Sequence, residues 1–228
     1  MKESINIICL FWVGDFRGRD FTANDVWRLY HSVLKHADRP FNFYVLTNDT
    51  NANIPGTRIK LLHGDDWPGW WAKMELYRAD LPAGRTLYMD LDSHVIKSLQ
   101  PIFDFEGDLV LFGDRAVKSQ GGGLVNRYQA ATILFNAREF VWLYEKFEQD
   151  WDYYLEHYRS DQDVLGEWIP DQPTFPEKWM IKLKQVQLKH RNNADKLQDV
   201  IIVTGQPKQG WFRRTNEIPW FEKAAREL

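Results

Sequence analysis

Cysteine is nearly missing: Cys9 is the single one among 228 residues, so no internal disulfide can form. A lone thiol in an apolar run fits a reducing compartment and leads to the expectation of a cytoplasmic protein. Long hydrophobic runs are missing too. The opening segment "MKESINIICLFW" has too short an apolar part for a signal peptide or a membrane span. No later segment is longer, so stable membrane insertion is not expected. Charge of one sign is not in excess. The formal net charge of −3 gives no global attraction to nucleic acid or an anionic membrane, and leaves room only for a local basic patch. Repeats and low-complexity tracts are absent, and "QGGGLV" (120–125) is the one stretch that reads as flexible.

What is present is a core-forming chain. At 44% hydrophobic and 27% charged it can bury one sizeable core, and a single domain over 1–228 is the simplest organisation. Eleven tryptophans point to core or interface positions, with Trp70–Trp71 a candidate ligand platform. "INIICLFW" (5–12) reads as a buried strand, and "TANDVWRLYHSVLKHA" as a helix capped by Thr22 or Asn24, with Val26, Leu29, Tyr30, Val33 and Leu34 on one stripe. "FNFYVLTND" (41–49) and "RIKLL" read as strands, "GWWAKMELYRAD" as a helix closed by "LPAG", and "RTLYMDLDSHVI" as the next strand. This β-α-β-β-α-β alternation predicts an α/β fold with a mostly parallel sheet flanked by helices. Further on, "LVLFGD" and "AATILFNA" read as strands, "REFVWLYEKFEQDWDYYLEHY" as one long helix, "SDQDVLGEW" as another with Ser160 as N-cap, and "DVIIVTGQPKQGW" as a late strand and loop.

Ligands in such folds sit outside the carboxyl ends of the strands. There the chain places Asp90 and Asp92, after the apolar "TLYM" and before the return to Val95 and Ile96. Strand alternation puts both acids on one side. Two like charges held together need a positive partner, which a divalent cation with oxygen ligands supplies. His94, next to the pair, reads as a core or surface histidine; His63 reads as a loop residue. A hydrophobic strand ending in Asp-x-Asp also opens the haloacid-dehalogenase phosphatases, but there it stands near the chain start. Here it follows several elements, and no later acidic pair stands in the matching place.

"NDVWRLYHSVLKH", "FNFYVLTND", "GWWAKMELYRADLPAGRTLYMDLDSHV", "YQAATILFNAREF", "SDQDVL" and "VIIVTGQPKQGW" follow one another in an order and spacing that resemble nucleotide-sugar glycosyltransferases of the GT-A fold. The likeness is to the family-8-like transferases and their small bacterial and phage-encoded relatives, over nearly the whole chain. It implies a GT-A-like single domain, with a Rossmann-like sheet and a smaller C-terminal acceptor-side subregion. Residues 1–115 would form the nucleotide-sugar-binding half and 116–228 the acceptor-side half. By the resemblance, Asp90 and Asp92 hold Mn²⁺ or Mg²⁺ against the donor diphosphate. Lys73 and Lys208 reach the donor, Gly205 and Gln129 belong to its site, and Trp12, Val13, Gly14, Asn24 and Asp25 form the base pocket. Asp161, Gln162 and Asp163 lie near the sugar and acceptor. The implied reaction is transfer from a UDP-sugar with retention.

There are departures from the family pattern. Thr204 stands where the family has a late histidine, usually the third protein ligand, which implies weaker metal binding. Gln129-Ala130-Ala131 replaces Asn-Ser or Asn-Ala-Gly, which bears on the sugar identity. "VGDFRGRDF" (13–21) reads as an insertion. A catalytically degenerate donor-binding protein and a phage-type transferase acting on modified DNA bases remain as alternatives. The acceptor stays open between glycan, small molecule, protein and DNA. A basic C-terminal face (Arg213, Arg214, Lys223, Arg226) is mainly solvated, and offers a docking place for an anionic acceptor.

Overall fold

The continuous apolar run at the start of the chain becomes strand β1 (Ile5–Phe11), with all seven residues buried, as expected of a strand covered on both faces. In this computed structural model, residues 4–16, 21–113, 128–183, 185 and 197–205 are described. Helix α1 (Ala23–His36) follows β1 and turns Val26, Leu29 and Val33 onto the sheet. It starts at Thr22 because the Asp25 carboxylate accepts both the Thr22 N–H at 2.8 Å and its hydroxyl at 3.0 Å, a reciprocal cap. The chain returns through β2 (Phe41–Thr47), β3 (Thr57–Lys60) and β4 (Gly84–Met89), all parallel to β1. Beyond β4 lie β7 (Tyr128–Ala137), β6 (Leu109–Gly113) and β8 (Thr174–Phe175), giving the order β3-β2-β1-β4-β7-β6-β8. Only β7 runs against its neighbours. A second sheet joins β5 (Ser93–Val95), β10 (Ile202–Thr204) and β9 (Met180–Lys182).

One core packs α1 and the short α2 (Gln100–Phe103) against one face of the large sheet. The other face carries α3 (Val141–Gln149), α4 (Trp151–His157) and α5 (Asp161–Trp168). The long helix expected over 138–158 breaks at Asp150, whose backbone leaves the helical region at φ −139° and ψ 38°. The break brings Tyr154 onto Phe147 at 5.4 Å and against Trp168 at 5.0 Å between ring centroids.

The segment expected as an α-helix, "GWWAKMELY", is a tight 3₁₀ helix over Gly69–Tyr77. It carries no solvent stripe: everything from Trp71 to Tyr77 is buried, including Lys73 and Glu75. Glu75, with no exposed surface, accepts the backbone N–H groups of Leu62 (2.9 Å) and His63 (2.8 Å) and an Arg78 guanidinium N–H (2.6 Å). Its carboxylate thus ties the turn after β3 to the segment that carries Lys73. Glu75→Ala leaves a buried guanidinium and two amides without that partner, so urea unfolding should show a loss of about 3–5 kcal/mol. A loss below about 1 kcal/mol would mean that water replaces the carboxylate.

Candidate active site

Strand β4 stops at Met89, one residue before the first acid. The Asp90 N–H still donates to Ala131 O (2.8 Å) on β7, and then Asp90 O accepts the Ser93 N–H at 3.0 Å, closing a turn over Leu91 and Asp92. The expected continuous strand 85–96 is therefore two strands in two sheets. Both carboxylates line one cleft, and a turn rather than strand alternation puts them there. The turn is held from both sides. Arg28 of α1 donates to Leu91 O at 2.8 Å while Asp25 grips the same guanidinium at 2.7 Å. On the other side the Gly205 N–H donates to Asp92 O at 3.0 Å, and Thr204 pairs with Ser93 across β10 and β5.

The cleft has an aromatic wall of Trp12, Phe16, Phe21 and Trp70, and a polar floor of Lys73, Asp90 and Asp92. Phe16 packs edge-on against Trp70 at 4.7 Å. It lies over Gly69, whose φ of +60° and lack of a Cβ both matter, since a Cβ there would strike the Phe16 ring. Trp12 is fixed by its indole N–H, which donates to Gly64 O at 2.6 Å.

Lys73, buried on the 3₁₀ helix, lies 2.8 Å from Asp90 Oδ1 and 3.1 Å from Oδ2, and donates to Ala130 O at 3.2 Å. Burial alone lowers an ammonium pKa. Here the charges of Asp90, Asp161 and Asp92 outweigh it, and the net shift is upward, so Lys73 stays charged. Tyr88 adds a short hydroxyl bond to Asp90 Oδ1. Asp161, at the start of α5 and 1% exposed, has its pKa pushed up to about 6 by burial, against the opposing pull of Lys73. Among the described residues its Oδ2 has no hydrogen-bond partner, and neither has Oε1 of buried Gln129. Gln129 lies at a bulge in β7: Leu111 pairs with Ile133 but Phe112 with Gln129, so residues 130–132 project out of register beside Asp90. Bulges of this kind re-aim side chains near sites.

The other expected site residues divide. Asp163 accepts the Arg159 N–H at 3.1 Å and so serves its own helix start, beside partly exposed Gln162; Ser160 is the N-cap by position, without a side-chain bond. Val13 is exposed, and its N–H and C=O are both taken by the Asn48 amide at 2.8 Å. Gly14 packs under the Trp12 ring. Asn24 is exposed on the first turn of α1, and Asp25 is committed to Thr22 and Arg28. His94 is buried, and burial first, then the Arg28 charge, pushes its pKa down to about 3. Lys208, the stretch 120–125 and the basic C-terminal residues lie outside the described residues. Among the described residues, no cluster of three or more His, Cys, Asp or Glu could hold a metal by itself. Sequence reasoning missed Arg28, whose partner is a backbone carbonyl that no side-chain motif reports. It also missed Tyr88 and Phe16.

The sequence matches no protein-family model and no curated protein sequence. The structure does find counterparts. The galactosyltransferase LgtC, solved in complex with donor and acceptor sugar analogs, aligns with a TM-score of 0.66 and 17% identity over 98% of this chain and 96% of that one. The glycosyltransferase GlyE of Streptococcus pneumoniae TIGR4 aligns at 0.61 and 15% identity over 98% of this chain and 65% of that one. The bifunctional glycosyltransferase WbbM aligns at 0.59 and 13% identity over 90% of this chain and 46% of that one. The fold is a glycosyltransferase fold. Its mixed α/β single domain, with a mostly parallel seven-stranded sheet, is the GT-A-like architecture expected.

Asp161 gives a signed pH test. Its folded pKa lies above the ordinary carboxylate value of 3.8, so its contribution to stability is fully present below that value and is lost as pH rises through about 6. Asp161→Asn carries no charge at any pH. It should melt close to wild type at about pH 3.5 and higher at pH 7.5, by the equivalent of about 1–3 kcal/mol, with the gap already open at pH 5. A variant less stable than wild type at pH 7.5 would show that the ionised carboxylate is favourably held.

Proposed function

We propose that the protein is a glycosyltransferase that moves a sugar from a nucleotide sugar, a UDP-sugar, to an acceptor hydroxyl with retention, in the manner of the family-8-like enzymes. One observation carries the reading: a buried ammonium faces acidic groups at the carboxyl end of the parallel strands, beneath an aromatic wall. Breaking a sugar–phosphate bond leaves a nucleoside diphosphate with growing negative charge, and a fixed cation in a dry site stabilises that charge. Lys73 is in place to do so, with Lys208 and Gly205 as further donor contacts. The acceptors of Asp161 and Gln129, without a partner among the described residues, suit the hydroxyl groups of the transferred sugar. Asp161, Gln162 and Asp163 form the proposed sugar and acceptor side. Trp12, with Val13, Gly14, Asn24 and Asp25, forms the base side, the two falling in residues 116–228 and 1–115.

Asp90 and Asp92 fit a divalent cation, Mn²⁺ or Mg²⁺. They are two oxygen donors in one cleft, and Asp90 already holds one cation there. Bound there, the ion supplies Lewis-acid charge to the leaving diphosphate. A cytoplasmic location accords with the single buried Cys9. A glycan acceptor accords with LgtC, solved with an acceptor sugar analog. The net charge of −3 gives DNA no advantage.

One observation favours donor binding without transfer: no third metal-binding side chain joins Asp90 and Asp92 among the described residues, and Thr204 stands beside their turn. A panel of nucleotide sugars with Mn²⁺ or Mg²⁺, followed by release of nucleoside diphosphate, separates the readings. The expected result is metal-dependent turnover that falls roughly a hundredfold in Asp92→Asn. Binding without turnover supports the second reading. Equal turnover in chelator would remove the metal from the proposal.

A further inference from the structure

The Asp90 carboxylate is largely occupied. A carboxylate offers about four lone-pair directions. Tyr88 takes one on Oδ1, and Lys73 reaches both oxygens, at 2.8 and 3.1 Å. The ammonium also has an anchor on protein, Ala130 O. Lys73 is the buried cation toward which Asp90, Asp161 and Asp92 converge. A divalent ion that used Asp90 would meet this ammonium on the same oxygens. It would gain no third His, Cys, Asp or Glu from the described residues in exchange. An anionic ligand changes both terms: its phosphate oxygens complete the shell of the ion, and they give Lys73 a second partner.

Resting on the donor site proposed above, we propose that Lys73 is the resident counter-cation of Asp90 and competes with the divalent ion. The ion then binds weakly alone and strongly together with a nucleoside diphosphate that draws Lys73 away from Asp90. The coupling is reciprocal, because each ligand must raise the affinity of the other by the same factor. Lys73 thus has two consequences of opposite sign: it weakens the metal alone and strengthens the diphosphate.

Electron paramagnetic resonance of free Mn²⁺, titrated with the full chain and without nucleotide, reads the first consequence directly. Wild type should bind Mn²⁺ weakly, and Lys73→Met should bind it at least tenfold more tightly. Lys73→Arg keeps the charge and should stay weak. Adding UDP should tighten Mn²⁺ on wild type by tenfold or more, and this gain should shrink in Lys73→Met. If Lys73→Met does not fold, Lys73→Gln, which can still donate to Ala130 O, reads the same quantities. Unchanged or weaker Mn²⁺ binding in the uncharged variant overturns the proposal, as does an undiminished gain from UDP. Failure of UDP to bind any variant would count against the nucleotide-sugar reading, while the titration with Mn²⁺ alone would still decide the role of Lys73.

Discussion

The site depends on one ammonium group inside an acidic pocket. Asp90, Asp161 and Asp92 all act on this one ammonium, that of Lys73, and Asp90 holds it directly. Like charges in a poorly solvated place repel strongly. The fold spends an unusual local structure to put the cation there. The 3₁₀ helix is buried along its length from Trp71 and is tied through Glu75 to the turn after β3. Gly69 starts it in a backbone region closed to most residues. The tightness of this segment and the charge it delivers are one problem with one solution.

The acids are placed by a different device. The Asp90–Ser93 turn lies where the chain leaves the large sheet for the small one, so no ladder continues through it. Side chains and late backbone hold it instead: Arg28 from α1, Thr204 at the end of β10 and Gly205 just after it. Asp25, which starts α1 through Thr22, also steadies Arg28. The order of a helix terminus therefore passes to the floor of the cleft through two side chains.

Much of the fold was legible because its signals are local. The run at 5–12 is apolar on both faces and became β1, the run at 41–49, which ends in turn residues, became β2, and the stripe from Val26 to Val33, with its cap at Thr22, became α1. What could not be read depended on distant partners. Apolar residues return at Leu91 and again at Val95, so the pattern reads as one strand; it is split, and β5 pairs with β10. Lys73 and Glu75 look like the solvated face of a helix, and only the buried partners they meet say otherwise. The long helix expected over 138–158 breaks at Asp150, and Tyr154 beyond the break packs on Trp168 of α5, a partner that the local pattern does not show. Of the candidate site, the acidic pair was visible as letters, and the role of Lys73 came from resemblance rather than from its neighbours in the chain.

The pairing of β5 with β10 also sets an order in time. Ser93–Val95 leave the ribosome roughly a hundred residues before Ile202–Thr204 do, an interval of ~5–20 s at ordinary translation rates. During that interval the first four parallel strands can assemble around β1, while the acidic turn lacks the strand that fixes its far side. The cleft is therefore a late product of synthesis, and a nascent chain carries the acids without the geometry that lets them act together.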